Sequence, residues 1–261
     1  GDSPILRATA EQSVRAAYQG SALSAERADS TVTLSIGAAA DLSVCGRRFH
    51  LRHMLHLRES EPALSPGRDE DAPGAAPLGL LAAQILDAVD PRGMDPATAD
   101  QRVQAFLALR GHDVRALGMA ELLTRLTRFL QGPYVTRELA TRLPPKRLLH
   151  AQPYTISLFG DAPGPRLRGV LDLVVLVGDP LVRVQVVEYR YGYAPDVLSQ
   201  LDLARQRLLA HVARQVFANH PEIALQVGTC YLRESDPRPQ FFDAATENLD
   251  EQELRQTLLE A

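Results

Sequence analysis

Two carboxylates and one cation in the C-terminal half of the chain have the types and spacing that metal-dependent chemistry needs. Asp172 lies in the apolar run LRGVLDLVVLV, and Glu188 and Arg190 lie near the end of the next run, LVRVQVVEYRYG. Because side chains alternate along a strand, Glu188 and Arg190 share a face. If the two runs pair around GDP, Asp172 approaches that face. Such a group suits a hard divalent cation such as Mg²⁺, which polarises a phosphate and activates a water.

An ordinary structural role fits the same three residues. Aspartate and glutamate side chains on strands often face solvent and pair there with arginines. Spacing alone therefore leaves both interpretations open.

The elements that must position these residues form an α/β pattern behind a helical one. PYTISLF and the two runs above are β-rich and separated by Gly/Pro/Asp turns, which predicts an antiparallel meander. A long helix at about 195–219, a strand at IALQVGTCYLRE and a terminal helix near 250–260 follow. Upstream, LGLLAAQILDAV, ATADQRVQAFLALRG and RALGMAELLTRLTRFL have the apolar spacing of helices.

We expect one domain over residues 31–261, preceded by a tether or helix at 1–30. A helical portion spans about 37–145 and the α/β core about 146–261. Residues 58–77 are rich in Pro, Gly and charge, without apolar periodicity, and are predicted to form a mobile loop. A length of 261 residues suffices for one sizeable core.

Composition excludes several classes of protein. No apolar run is long enough for a membrane helix and no signal peptide is evident, so we expect a cytoplasmic protein without a membrane partner. Two cysteines, Cys45 and Cys230, are too few for a disulfide framework or an iron–sulfur cluster. No GxxxxGK[ST] loop occurs, so the chain has no ATP site. A net charge of −4 argues against DNA binding by bulk charge but permits a local basic surface.

Several segments together resemble a known family. GVLDLVV, VVEYRYG and SQLDLARQRLL resemble, in this order, the Gly-x-x-Asp strand, the acid-x-Lys strand and the glutamine-led helix of RecB-like nucleases of the PD-(D/E)xK class. LSIGAAADLSVCGRRFHLRHMLHL is similar to the family's opening segment. The resemblance covers about residues 31–235. It implies a restriction-endonuclease-like core, a mixed sheet flanked by helices, with an N-terminal helical elaboration.

The resemblance also implies roles for individual residues. Asp172 and Glu188 would be metal ligands, with the Tyr189 backbone carbonyl as a third, and the metal would be Mg²⁺ or Mn²⁺. Gln200 would be the glutamine that opens the helix behind the site. DNA would be the substrate, and a helicase motor domain or subunit the partner, in the processing of DNA ends during recombination or repair.

Four positions depart from the family's pattern. The family lysine is Arg190, the histidine of a Gly-x-x-x-His element falls at Ala83, the acidic residue expected just before the first core strand falls at Ala151, and a tyrosine after the glutamine falls at Ala204. Arginine stays protonated near neutral pH, so it can stabilise developing charge but cannot exchange a proton with water. Alternatively, Lys146, the only lysine among 28 basic residues, reaches the site.

Two functions follow from these departures. The first is a nuclease-like domain that acts on DNA ends and whose hydrolysis is weakened or lost. The alternative is an active Mg-dependent DNA exonuclease in which Arg190 replaces the lysine. A site plugged by side chains, or an Arg190 tied up with Asp172 and Glu188, favours the first; a filled metal site with water in reach of a phosphate favours the second.

Basic residues outside the strands are candidates for contacts with the DNA backbone. Four arginines carry this prediction: Arg47, Arg48, Arg52 and Arg205. Solvated helix faces explain each of them equally well. Three histidines recur every third residue in FHLRHMLHL: His50, His53 and His56. Their stripe drifts around a helix, so we expect partly exposed side chains rather than a metal site.

Overall fold

The computed structural model describes residues 32–56, 75–89, 96–113, 115, 118–141, 143–159 and 164–243. The predicted tether at 1–30, most of the predicted loop at 58–77 and the predicted terminal helix near 250–260 lie outside the described residues. Within the described ranges, no helix is long and apolar enough to cross a membrane.

Six strands form one mixed sheet, as the sequence predicts. They are β1 (Thr33–Leu34), β2 (Lys146–Ser157), β3 (Arg166–Val177), β4 (Arg183–Arg190), β5 (Ala224–Tyr231) and β6 (Pro239–Asp243). β2, β3 and β4 form the predicted antiparallel meander, β5 runs parallel to β4, and β6 is antiparallel to β5. Because parallel strands need a crossover connection, the long helix between β4 and β5 follows from this order.

β3 is the central strand: β2 pairs with one of its edges, and β1 and β4 pair with different parts of the other edge. β2 pairs along almost its whole length, while β1 pairs in parallel at Arg166 and Leu167 and β4 pairs only from Leu173 to Val177. Residues 168–172 therefore lie between β1 and β4 on that edge and pair with neither. This gap in the sheet is the place where the candidate site opens.

Helices cover both faces of the sheet. They are α1 (Ile36–Val44), α2 (Gly46–Phe49), α3 (Ala75–Ala88), α4 (Pro96–Leu109), α5 (Met119–Gln131) and α6 (Gln200–Val216), with π-helical turns at His50–Met54 and Tyr134–Leu139. α1 and α6 pack on one face, and α3 to α5 on the other. The core of β3 is apolar on both faces because both are covered.

Two element boundaries differ from the sequence prediction. The first core strand begins at Lys146, seven residues before the predicted PYTISLF, because pairing with the buried β3 outweighs the weak local signal of KRLLHAQ. The long helix begins at Gln200 rather than near 195. Ser199 is its N-cap: the Ser199 hydroxyl accepts from the Asp202 N–H, and the Asp202 carboxylate accepts from the Ser199 N–H.

Candidate active site

The two predicted carboxylates lie at the end of the β3–β4 ladder. Leu173 pairs with Val187, so the next residues, Asp172 and Glu188, occupy opposite positions where the strands separate. There the Tyr189 N–H donates to Asp172 Oδ2 at 2.8 Å. The turn between the strands therefore brings Asp172 and Glu188 together, as the hairpin pattern predicts.

A cavity of about 250 Å³ opens beside this pair. Asp172, Glu188 and Tyr189 line it, together with Tyr154 and Arg168. The N-terminus of α1, at residues 35–37, forms another part of the wall. The cavity therefore combines carboxylates, a hydroxyl, a guanidinium and a helix N-terminus.

The electrostatics at Asp172 favour a cation. The pKa of its carboxyl is raised to about 7: burial is the largest cause, the negative charges of Glu188 and Asp87 add to it, and the hydrogen bond from the Tyr189 N–H acts in the opposite direction. No ion pair joins Asp172 to a basic residue in the described ranges. A divalent cation beside two carboxylates would stabilise the charged form, because an opposite charge within a few ångströms lowers a carboxyl pKa.

The donor set fits a magnesium-like ion. Mg²⁺ in proteins is usually held by one or two carboxylates, with waters and phosphate oxygens completing its octahedron. Asp172, Glu188 and the Tyr189 carbonyl are donors of this kind. The described ranges contain no cluster of three or more His, Cys, Asp or Glu side chains placed for a metal. A magnesium-like ion on Asp172 and Glu188 would therefore take its remaining ligands from waters, carbonyl oxygens and substrate oxygens.

Arg190 is withdrawn from the cavity. Its Nε and Nη2 atoms lie 3.2 and 3.1 Å from Glu188 Oε2, and its Nη1 atom lies 3.3 Å from Asp202 Oδ1. The residue is 8% exposed and does not line the cavity. The position predicted to match the family lysine therefore holds a cation that ties β4 to the first turn of α6. Asp202 is missed by the sequence reasoning, although Ser199 and Asp202 have the spacing of a capping box.

The other residues predicted on α6 lie outside the cavity wall. Gln200 is the first residue of α6 and its side chain is exposed. Arg205 is half-buried further along the helix. Ala204, at the position of the family tyrosine, packs against the core between α1, α6 and the sheet. The structure thus brings Asp172, Glu188 and Tyr189 together, and leaves Gln200 and Arg205 apart from them.

The arginines of the opening segment surround a buried aspartate. Asp41 in α1 is 1% exposed; Arg48 Nε lies 3.3 Å from its Oδ1, and Arg52 Nη1 lies 3.5 Å from its Oδ2. His53 Nε2 lies 2.7 Å from the same Oδ2, and its ring stacks on Phe49. Arg47 is exposed. Arg48 therefore holds α1 to α2, and Arg52 holds α1 to the π-helical turn that follows, a role that the sequence does not reveal.

The structure corrects two of the expectations drawn from the sequence, one for Ala151 and one for Lys146. Ala151 does not precede the first core strand; it lies inside β2, opposite Asp172, with a φ of 44°. Lys146 does not reach the site. It pairs with Val177 at the other end of β3, about 17 Å along the strand from Asp172. Its Nζ atom donates to the Thr141 carbonyl at 3.3 Å.

Three cavity or near-cavity residues were missed from the sequence. Asp87 in α3 lies one helical turn after Ala83, on the side from which its charge reaches Asp172. Arg168 lies on the same face of β3 as Asp172, by strand alternation. Tyr154 stands over Gly169, where a Cβ would meet the Tyr154 hydroxyl at 2.5 Å. Burial and the charges of Glu188 and Asp172 raise the Tyr154 pKa, so the hydroxyl stays protonated.

Comparison with protein families agrees with this geometry. Residues 33–261 match the model of the PD-(D/E)XK nuclease superfamily. The chain belongs to this superfamily. A comparison with curated proteins found no match. Membership supports a nuclease-like function with DNA as the substrate, and PD-(D/E)XK nucleases typically use divalent metals such as Mg²⁺. The expected fold, a mixed sheet flanked by helices, is confirmed.

Proposed function

We propose that the chain is the RecB-like nuclease domain of a DNA helicase–nuclease, extending over residues 31–261, with weakened or lost phosphodiester hydrolysis. It would act on DNA ends in recombination or repair. The family match supports the nuclease class, and the ordered resemblance over residues 31–235 supports the RecB-like assignment. The observation that carries the weakened activity is the commitment of Arg190 to Glu188 and Asp202.

The metal would be Mg²⁺ or Mn²⁺, held by the Asp172 and Glu188 carboxylates and the Tyr189 carbonyl. A bound ion of this kind polarises the phosphate and lowers the pKa of a coordinated water. Glu188 shares its Oε2 with two nitrogens of Arg190. This sharing reduces the negative charge that Glu188 offers to a cation, so we expect a weaker metal affinity than an unpaired glutamate would give.

The side chain at position 190 also cannot exchange a proton during hydrolysis. Arginine is protonated at all ordinary pH values, and this guanidinium is buried and paired. Loss of proton transfer costs a factor of about 10² to 10⁴ in rate. Arg190 can still neutralise charge through Glu188, but it cannot deliver or accept a proton at the phosphate.

DNA binding does not depend on Arg190. Arg168 is exposed at the cavity, and neither a hydrogen bond nor an ion pair joins its guanidinium to another described residue. It is four residues from Asp172 on one face of β3, a spacing of about 13 Å that a long side chain partly covers. The N-terminus of α1 also faces the cavity, where its backbone N–H groups favour a phosphate. We therefore propose that the chain still binds DNA although its phosphodiester hydrolysis is weakened or lost.

A second function is favoured by one observation. The cavity is open, and both Asp172 and Glu188 line it. An active Mg-dependent exonuclease, with Arg190 in the place of the lysine, is the function that an accessible pair of carboxylates would serve.

A cleavage assay separates the two functions. End-labelled linear duplex and single-stranded DNA are incubated with the purified chain in Mg²⁺ and then in Mn²⁺. We expect DNA binding with slow or undetectable cleavage. Arg190→Lys should increase cleavage about tenfold or more, because a proton-exchanging group returns. Asp172→Ala in either background is the matched control for metal-dependent turnover.

The outcomes are distinct. Rapid cleavage by the unmodified chain that disappears in Asp172→Ala would establish the exonuclease and overturn the weakened activity. Absence of DNA binding would overturn both functions. The helicase association has a separate test: the natural protein, purified from its own cells, should carry or retain a DNA-stimulated ATPase. A chain that purifies without any such activity contradicts the association.

A further inference from the structure

Two tyrosines and two arginines form a surface cluster directly after β4, outside the cavity. We define the aromatic cluster as Tyr191, Tyr193, Arg125 and Arg233. The Arg233 guanidinium carbon lies 6.0 Å from the ring centroid of Tyr191 and 4.7 Å from that of Tyr193. The Arg125 guanidinium carbon lies 5.8 Å from the Tyr193 centroid. Arginine over an aromatic face is a favourable cation–π arrangement.

The two arginines are ordered before any ligand arrives. Glu121 Oε1 lies 3.1 Å from Arg233 Nη2 and 3.4 Å from Arg125 Nη2. Arg125 also donates to the Arg233 carbonyl at 2.7 Å and to the Tyr193 hydroxyl at 3.2 Å. Both guanidinium groups therefore share one carboxylate oxygen, which holds them side by side. Preorganisation of this kind lowers the entropy cost of binding.

The turn that carries Tyr193 is fixed to the neighbouring strand. The Leu232 N–H donates to the Arg190 carbonyl at 2.8 Å, and the Arg233 N–H donates to the Gly192 carbonyl at 3.1 Å. The Ala194 N–H donates to Glu234 Oε1 at 2.8 Å. Tyr193 is five residues after Glu188, so at most about 17 Å of chain separates them. That distance equals about five stacked nucleotides at about 3.4 Å each.

A buried hydroxyl lies beside the two arginines of the cluster. Tyr191 is 6% exposed, and its hydroxyl finds no hydrogen-bond partner in the described part of the chain. The charges of Glu121, Arg233 and Arg125 all act on this hydroxyl. The hydroxyl itself is closed to solvent, whereas the Arg125 and Arg233 side chains keep 19% and 18% of their area exposed. Their guanidinium N–H groups are therefore the donors that suit an oxygen-rich anionic ligand such as a phosphodiester.

Tyr193 supplies the surface for the other half of a nucleotide. It keeps 39% of its area exposed, although Arg233 and Arg125 contact it. A base stacks on an exposed tyrosine only when its own face is free, so the geometry selects unpaired nucleotides over duplex DNA. We propose that the aromatic cluster is a subsite for one unpaired nucleotide, with the base on Tyr193 and the phosphate on Arg125 and Arg233. This inference rests on the DNA binding of the proposed function.

The test compares oligonucleotides that differ only in their bases. Fluorescein-labelled dT20, an abasic oligonucleotide of the same length and charge, and a 20-base-pair duplex are titrated by anisotropy in EDTA, which prevents cleavage. We expect dT20 to bind more tightly than the abasic strand. Tyr193→Ala should weaken dT20 binding about 5- to 100-fold, down to the abasic level, and leave the abasic strand and the duplex unchanged. Tyr193→Phe should bind like the unmodified chain.

Other results would contradict the subsite. If Tyr193→Ala weakens all three ligands equally, or none of them, Tyr193 does not stack on a base, while the DNA binding of the proposed function stands. If the unmodified chain binds none of them, the proposed function fails together with the subsite. Leu143→Ala, which removes an apolar side chain that is 78% exposed at another surface, is the matched control for nonspecific loss. Thermal unfolding of each variant verifies that the fold is retained.

Discussion

Two aspartates of this chain, Asp41 and Asp172, are withdrawn from solvent and have opposite surroundings. Asp41 has Arg48, Arg52 and His53 within 3.5 Å. Asp172 has a backbone N–H, two neighbouring negative charges and a cavity. The first carboxylate is neutralised by the fold itself. The second has no cationic partner among the described residues, so its charge is available to a bound cation. A carboxylate with perturbed ionisation in a cleft is the more probable site of function, by the general rule for such groups.

Removal of the Asp41 charge should give the largest change in stability. Asp41→Asn leaves the guanidinium groups of Arg48 and Arg52 beside a neutral amide, and breaking a buried ion pair typically costs about 3–5 kcal/mol. We expect a decrease of this size in the free energy of unfolding by urea. Asp236→Asn, which removes the exposed ion pair with Arg238, is the control and should have no measurable effect. Equal stability of both variants would contradict the structural role of Asp41.

The same substitution at Asp172 should have the opposite sign. Its pKa is about 7 in the folded chain and near 3.8 when unfolded. Between these values the unfolded state loses a proton that the folded state keeps, so stability falls as pH rises. Asp172→Asn removes this penalty, and without metal it should be more stable than the unmodified chain at pH 8, by on the order of 2 kcal/mol.

The measurement is urea unfolding in EDTA at pH 5 and pH 8. The stability difference between Asp172→Asn and the unmodified chain should grow between the two pH values. A difference that is constant with pH, or that favours the aspartate at pH 8, would show that Asp172 is stabilised by a neighbour in the manner of Asp41.

Added metal should narrow the stability difference between the unmodified chain and Asp172→Asn. A cation that binds only the folded state stabilises it by RT ln(1 + [L]/Kd), which is about 1–1.5 kcal/mol at ten times its dissociation constant. We expect Mg²⁺ or Mn²⁺ to raise the melting temperature of the unmodified chain by about 2–4 °C and to leave Asp172→Asn unchanged. Ca²⁺ and Na⁺ at matched ionic strength separate ion binding from screening.

The smallest expected effect is on DNA binding and compares Arg168, whose guanidinium has no partner among the described residues, with Arg52, which is paired with Asp41. Arg168→Ala should weaken binding of single-stranded DNA a few-fold and lower the slope of log affinity against log salt by about one contact. Arg52→Ala should leave that slope unchanged, because its guanidinium is paired with Asp41. A lower slope for Arg52→Ala alone would place the DNA on the α1–α2 side and remove Arg168 from the interface.

The sequence predicted local structure and the pairing of the two site strands. A short turn and strict alternation suffice to bring Asp172 and Glu188 to one end of a hairpin. The three helices before the core also follow from apolar spacing. These features depend on neighbours within a few residues, and local rules capture them.

Partners that come from other elements were not predictable in this way. The contact between Arg190 and Asp202 joins β4 to α6, and Arg125 meets Arg233 across 108 residues. For the arginines of the opening segment, contact with the DNA backbone and exposure on a solvated helix face were equally good predictions. In the structure, Arg48 and Arg52 form ion pairs with Asp41 instead. Side-chain type and spacing identify a charged group, whereas only the packing of distant elements decides whether that charge is already neutralised.

The gap between β1 and β4 along the edge of β3 has an evolutionary consequence. Residues 168–172 pair with neither strand there, so peptide groups face the cavity, and peptide groups do not change when side chains mutate. A lineage can replace catalytic side chains one at a time and still inherit this notch, because its shape belongs to the main chain. A nuclease can therefore evolve into a protein that binds DNA without cleaving it, and its fold need not change.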